Sequence, residues 1–145
     1  MAIDGVHEGL ELGPSEWVEI TQERINGFAG STGDHQWIHM DPERAAAGPF
    51  GTTIAHGFLT LSLLPELWFE LAGDAGYRMA VNYGVNRVRF PAPVPVGSRL
   101  RAQFRVVEVS EAGGGAEQAV VEGTVERDGG DKPVCVAELV FRFYR

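Results

Sequence analysis

The apolar positions of this chain change period part-way along it. Before Met79 they fall in short patches or at helical spacing, and from Met79 onward they alternate. Alternation predicts strands over Met79–Phe90, Arg99–Ser110, Gln118–Asp128 and Pro133–Tyr144. In the second, Leu100, Ala102, Phe104 and Val106 share one side, with Arg99, Arg101, Gln103 and Arg105 on the other. In the last, Cys135, Ala137, Leu139, Phe141 and Phe143 share a face. Gly113-Gly114-Gly115 and Asp128-Gly129-Gly130 are natural hairpin turns. Pro91, Pro93 and Pro95 interrupt the chain after the first of these strands. Consecutive strands with short turns imply an antiparallel sheet.

The first half predicts a short strand over Ser15–Ile20. Thr21 then caps a helix over Gln22–Ala29, with Glu23 in its first turn and Ile25 and Phe28 on one face. Gly30–Gly33 ends that helix, and Asp34–Met40 reads as irregular. Asp41-Pro42-Glu43 starts a short helix that Gly48-Pro49 stops. Gly57–Leu71 is the most apolar segment, and a helix apolar nearly all round is a buried one. Pro65 removes a hydrogen bond inside it and predicts a kink near Leu61–Pro65, or a break. An antiparallel sheet with one apolar face must be covered, and this helix is the only sufficient cover. The expected class is therefore α+β: one domain over residues 1–145, its sheet wrapped around a central, mostly buried helix. Residues 1–14 are expected to form an extended arm.

Composition narrows the function. A chain of 145 residues with 44% hydrophobic and 22% charged residues has enough for one core. A net charge of -8 excludes nucleic-acid binding by bulk electrostatics. Arg87, Arg89, Arg99, Arg101 and Arg105 make one dense basic region, either the solvent side of strands or a local anion site. The lone Cys135 permits no intrachain disulfide and falls on an apolar strand face, as an inert core residue does. The acidic N-terminal stretch is unlike a secretory leader, and Ser62, Pro65, Glu66 and Glu70 interrupt the longest apolar run. A soluble cytoplasmic protein, bound to no membrane, is expected.

Candidate chemistry gathers in Ser31-Thr32-Gly33-Asp34-His35-Gln36-Trp37-Ile38-His39. Trp37 and Ile38 should draw this segment against the core. Asp34 and His39 would then sit in a partly dry cleft, where a carboxylate and an imidazole can exchange protons with a bound water. A surface loop rich in turn residues is the competing reading. His35 and His39 are four apart, but the segment does not read as a helix and no cysteine is near, so no metal site is expected. His56, just before the apolar helix, either lines a pocket or caps the helix. Asn86, mid-strand where Asn is disfavoured, points to a specific hydrogen bond.

Gly33-Asp34-x-x-x-x-His39, then Ile54-Ala55-His56-Gly57 and an apolar helix, resembles the hydratase motif of the MaoC-like family, the (R)-specific enoyl-CoA hydratases and related dehydratases. Asn86-Arg87-Val88-Arg89-Phe90-Pro91-x-Pro93-Val94-x-x-Gly97 resembles that family's central strand and following turn. The resemblance implies a hot-dog fold and (R)-specific hydration of trans-2-enoyl-CoA, with Asp34 and His39 catalytic and the Gly57 N–H serving as oxyanion hole. Gln36, His56, Asn86 and Arg89 are the candidate substrate contacts. The thioester is a substrate, carried on CoA or on an acyl carrier protein, and no cofactor is implied. A homodimer is implied as well.

Two positions depart from the family pattern. Gln36-Trp37 stands where many members have Asn-Pro, and Pro65 stands where some have a serine. Three alternatives stay open: a 3-hydroxyacyl-carrier-protein dehydratase, a hot-dog thioesterase, and a non-catalytic acyl-thioester binder. The fold alone does not choose among them.

Overall fold

A computed structural model describes residues 3–145. Ten elements follow in chain order: β1 (Glu11–Leu12), β2 (Val18–Glu19), α1 (Gln22–Thr32), α2 (Trp37–Met40), α3 (Pro42–Ala46), α4 (Gly57–Ala72), β3 (Met79–Arg89), β4 (Arg99–Ala112), β5 (Ala116–Arg127) and β6 (Cys135–Tyr144). The strands form one antiparallel sheet in the order β1-β4-β5-β6-β3, with β2 also paired to β4. The four long strands fall where alternation places them, within a few residues at each end.

The sheet's apolar face closes on α4. Leu59, Leu63, Leu64, Leu67 and Trp68 of the helix are buried against Phe104, Val121, Phe141 and Phe143. Trp68 is central. Its ring meets Phe104 edge-on at 5.5 Å and Phe141 at 5.8 Å. Each such side chain contributes roughly 1.5–3 kcal/mol through removal from water. Among the described residues, no helix is long and apolar enough to cross a membrane.

Several local expectations need correction. Pro65 neither breaks nor splits α4, which runs unbroken through sixteen residues. The proline forfeits one hydrogen bond, and the burial of Leu63, Leu64, Leu67 and Trp68 around it outweighs that loss. Nor is α4 buried all round: Phe58 is 67% exposed, and Phe69, Ser62, Glu66 and Glu70 also face outward. Helix α1 continues through Gly30 to Thr32 and stops at Gly33, whose φ of 82° lets its N–H reach the Ala29 carbonyl. Gly33, not Gly30, is the stop because it alone adopts the left-handed conformation there.

The five clustered arginines are not one patch. Arg87 and Arg89 lie on β3, while Arg99, Arg101 and Arg105 lie on β4, with β5 and β6 between. The β4 arginines pair across the ladder with Asp128, Glu126 and Glu122. Exposed pairs of this kind contribute about 0–1 kcal/mol each.

The N-terminal arm is docked over its described residues, 3–14, residues 1 and 2 of that expectation lying outside the described part. Gly5 donates to the Ala75 carbonyl and Gly9 to the Val106 carbonyl, and Val6 is buried. With β1 and β2 it lies along the free side of β4.

Candidate active site

Three chain segments converge at the first turn of α4. The first is the end of α1, where Gly33 reverses the chain and delivers Asp34. The second is α2, a single helical turn carrying His39 where irregular backbone was expected. The third is Thr53–His56, which leads into Gly57.

The segments are held by backbone and buried side chains. Ile54 donates its N–H to the Ile38 carbonyl at 3.0 Å, and His39 Nδ1 donates to the Ile54 carbonyl at 2.7 Å. Gln22 is a second brace: its Nε2 donates to the His39 carbonyl at 2.8 Å, and its Oε1 accepts from the Thr53 hydroxyl at 2.6 Å. Behind them, Ala55 donates to the Val94 carbonyl and Val96 to the Thr53 carbonyl. The proline-rich run after β3 thus fixes the segment that launches α4.

These bonds set protonation by geometry. A carbonyl only accepts, so His39 carries its proton on Nδ1 when neutral, and Nε2 is left as an acceptor. His56 Nε2 likewise donates to the Asp34 carbonyl at 2.9 Å, leaving its Nδ1 the acceptor nitrogen when the ring is neutral, without a partner among the described residues. The two imidazoles stack at 3.8 Å, 22° from parallel, and Phe28 packs on the other ring partner, His56, at 4.8 Å. His39 is 6% and His56 2% exposed, whereas Asp34 is open to solvent.

A carboxylate oxygen of Asp34 and one ring nitrogen each of His39 and His56 lie within 4.8 Å of one another. Two polar atoms at that separation can both hydrogen-bond a single water, since each bond spans about 2.8 Å. The same three residues meet the proximity a metal ion needs. The stacking disfavours that use, because lone pairs lie in the ring planes and those of nearly parallel rings do not converge on one ion.

Gly57 opens α4, and its N–H has no carbonyl one turn earlier to bond. A Cβ at this position would lie 2.9 Å from the Phe90 ring, so any larger residue would require that side chain to shift. A cavity of about 300 Å³ opens beside it, lined by Phe50, Gly57, Thr60, Phe90, Val94 and Val134 among others.

The structure thus brings Asp34, His39, His56 and Gly57 together. His56 is buried behind the pair and holds the Asp34 backbone. Gln36 is exposed and precedes α2 without a side-chain cap bond. Asn86 sits at a register irregularity between Val85 and Val88, exposed, and none of the described side-chain hydrogen bonds involves it. Arg89 is exposed at the end of β3, donating to the Val88 carbonyl. The pattern missed Gln22 and Thr53, whose pairing is purely tertiary, and Thr60. Thr60 carried a legible signal, a hydroxyl inside an otherwise apolar helical run.

A sheet curled over one helix, with that helix's first N–H beside an Asp–His pair, defines a class. Residues 7–131 match the family described as MaoC like domain, and the chain belongs to this MaoC-like dehydratase family, with its hot-dog fold. The chain is 61% identical over 135 residues to 3-hydroxyacyl-thioester dehydratase Z of Mycobacterium tuberculosis H37Rv, covering 93% of this chain and 89% of that protein. It is 46% identical over 134 residues to nodulation protein N of Rhizobium leguminosarum bv. viciae, covering 91% and 83%. Among solved structures it resembles the monoamine oxidase regulatory protein from Archaeoglobus fulgius, with a TM-score of 0.81 at 24% identity over 97% of this chain and 92% of that one.

Proposed function

We propose that the protein interconverts a trans-2-enoyl thioester and the (R)-3-hydroxyacyl thioester by adding or removing water. The supporting observation is the fixed tautomer of His39, whose Nδ1–H is held by the Ile54 carbonyl so that Nε2 is the acceptor, together with the approach of its ring to the Asp34 carboxylate. In hydration, the pair binds one water, which attacks C3 as a proton passes to the pair. C2 then receives a proton, and the charge on the thioester oxygen collapses back. The Gly57 N–H, at the positive end of α4, faces that oxygen. Dehydration is the same sequence reversed, and the similarity to a 3-hydroxyacyl-thioester dehydratase supports it.

Gln36 would bound the pocket near the reacting carbons, with His56 behind the Asp–His pair as a positioning residue. Arg89 and Asn86 would meet the thioester's carrier, either CoA or a carrier protein. We infer a homodimer as well. Strand β3 is a sheet edge of eleven residues whose Met79, Val81, Tyr83 and Val85 are exposed. Such an edge requires cover.

The test offers trans-2-enoyl-CoAs and (R)- and (S)-3-hydroxyacyl-CoAs to wild type, Asp34→Asn and His39→Ala. Chiral analysis of the product follows. Loss of at least about 100-fold in both variants, with (R)-product from wild type, is expected. Release of free CoA would make the protein a thioesterase instead. Full activity in both variants would end the Asp–His mechanism.

A further inference from the structure

Thr60 lies one turn into α4, 1% exposed, and its hydroxyl has no hydrogen-bond partner among the described residues. Buried hydroxyls nearly always find a partner, so one without any marks a place where something else is bound. Helical side chains lean toward the N-terminus, which carries this hydroxyl over the turn that contains Gly57. Thr60 and Gly57 line the same cavity of about 300 Å³. Its other walls, Phe50, Ile54, Phe90, Val94 and Val134 among them, are apolar. The unpaired N–H of Gly57 and the buried, unpaired hydroxyl of Thr60 are thus two donors at one largely apolar cavity.

We propose that the Thr60 hydroxyl is a second donor to the substrate's thioester oxygen, beside the Gly57 N–H. This rests on the enoyl-thioester reading above and adds a catalytic residue to it. As the C2–H bond breaks in dehydration, its proton goes to the Asp–His pair and its electron pair moves onto the thioester oxygen. That charge returns to form the C2–C3 double bond as the 3-hydroxyl departs with a proton as water. Thr60 transfers no proton. It donates to the oxygen while the charge is there, in a site where fixed donors act strongly.

The test compares Thr60→Val, which replaces the hydroxyl by a methyl of the same shape, with Thr60→Ser, which keeps it. With trans-2-enoyl-CoAs, Thr60→Val should lose about 10- to 100-fold in kcat with KM little changed, and Thr60→Ser should recover most of it. Its Tm should match or exceed wild type, because the hydroxyl satisfies nothing in the fold. In an Asp34→Asn background, the carbonyl stretch of bound trans-2-enoyl-CoA should move back toward its free value when Thr60→Val is added. Unchanged kcat or an unchanged carbonyl stretch in Thr60→Val overturns the proposal. So does a matching fall in Tm and activity that Thr60→Ser fails to rescue, which would make the hydroxyl structural. If wild type is active and Thr60→Val is equally active, Thr60 alone is misassigned. If wild type neither binds nor converts any enoyl thioester, the functional reading fails and takes this one with it.

Discussion

The Nε2–H of His56 donates to the backbone carbonyl of Asp34 at 2.9 Å, across 22 positions of chain. The same imidazole lies flat against His39. One buried ring therefore contacts both members of the proposed acid–base pair. His56→Phe keeps a flat ring but removes the donor. It should lower kcat about 10- to 100-fold, since small displacements near reacting atoms are costly. Stability should fall by about 1–3 kcal/mol, because the Asp34 carbonyl loses its buried partner. Steady-state kinetics and a urea titration check the two effects. A fully active His56→Phe would show that Asp34 is placed by other contacts.

A second consequence follows from the packing of Phe90 on Gly57. Gly57→Ala inserts a methyl 2.9 Å from the ring, while Phe90 is 39% exposed and has room to swing outward. The substitution should cost about 1–2 kcal/mol and reduce activity sharply. Adding Phe90→Ala should restore much of the stability but not the activity, because the methyl still crowds the N–H. A double-mutant cycle on both quantities reads the difference.

Cys135 gives a pH-dependent prediction. It is fully buried on β6, and burial raises its thiol from 9.0 to about 11. In the unfolded chain the thiol ionises near its ordinary value, so between these limits the unfolded state binds fewer protons than the folded one. Stability contributed by this group is therefore complete below pH 9 and is lost as the pH rises through about 11. Cys135→Ala should lose less stability than wild type over that range. Native protein at pH 8 should resist alkylation until denaturant is added.

The edge strand supplies a fourth test. Val81→Lys with Val85→Lys would place like charges along β3 of both copies in a symmetric pair. Analytical ultracentrifugation should show a dimer for wild type and a shift to monomer for the double variant. A wild-type monomer at micromolar concentration would refute the homodimer.

Much of the framework was legible because it rests on local rules. Leu100, Ala102, Phe104 and Val106 alternate on β4 as their spacing requires, and Thr21 and Asp41 cap α1 and α3 as their positions require. The misreadings arose where local rules compete with packing. Helix α2 is four residues, too short to show a period, and it forms because Ile38 and His39 bond to Ile54 from elsewhere in the chain. Pro65 would break an isolated helix, but burial of the surrounding turns holds this one together. The arginines were near in sequence and far apart in space, because the order of strands in a sheet is not their order in the chain. The Asp34–His39 spacing was visible as a motif. The stacked His56 and the Gln22 brace that keep it in place were not, since only the fold brings those residues near.

The docked N-terminal arm has a bearing on assembly. By pairing with β4, residues 11–12 and 18–19 occupy one rim of the sheet with the chain's own backbone, while β3 leaves the opposite rim bare. A molecule with two bare rims could polymerise like bricks in a course. Here β1 and β2 cover part of the β4 rim, so β3 is the longer rim left for a second copy, and an assembly joined through it alone would close as a pair. Deleting the arm would bare β4 as well, and light scattering of that variant should then show growth beyond a pair.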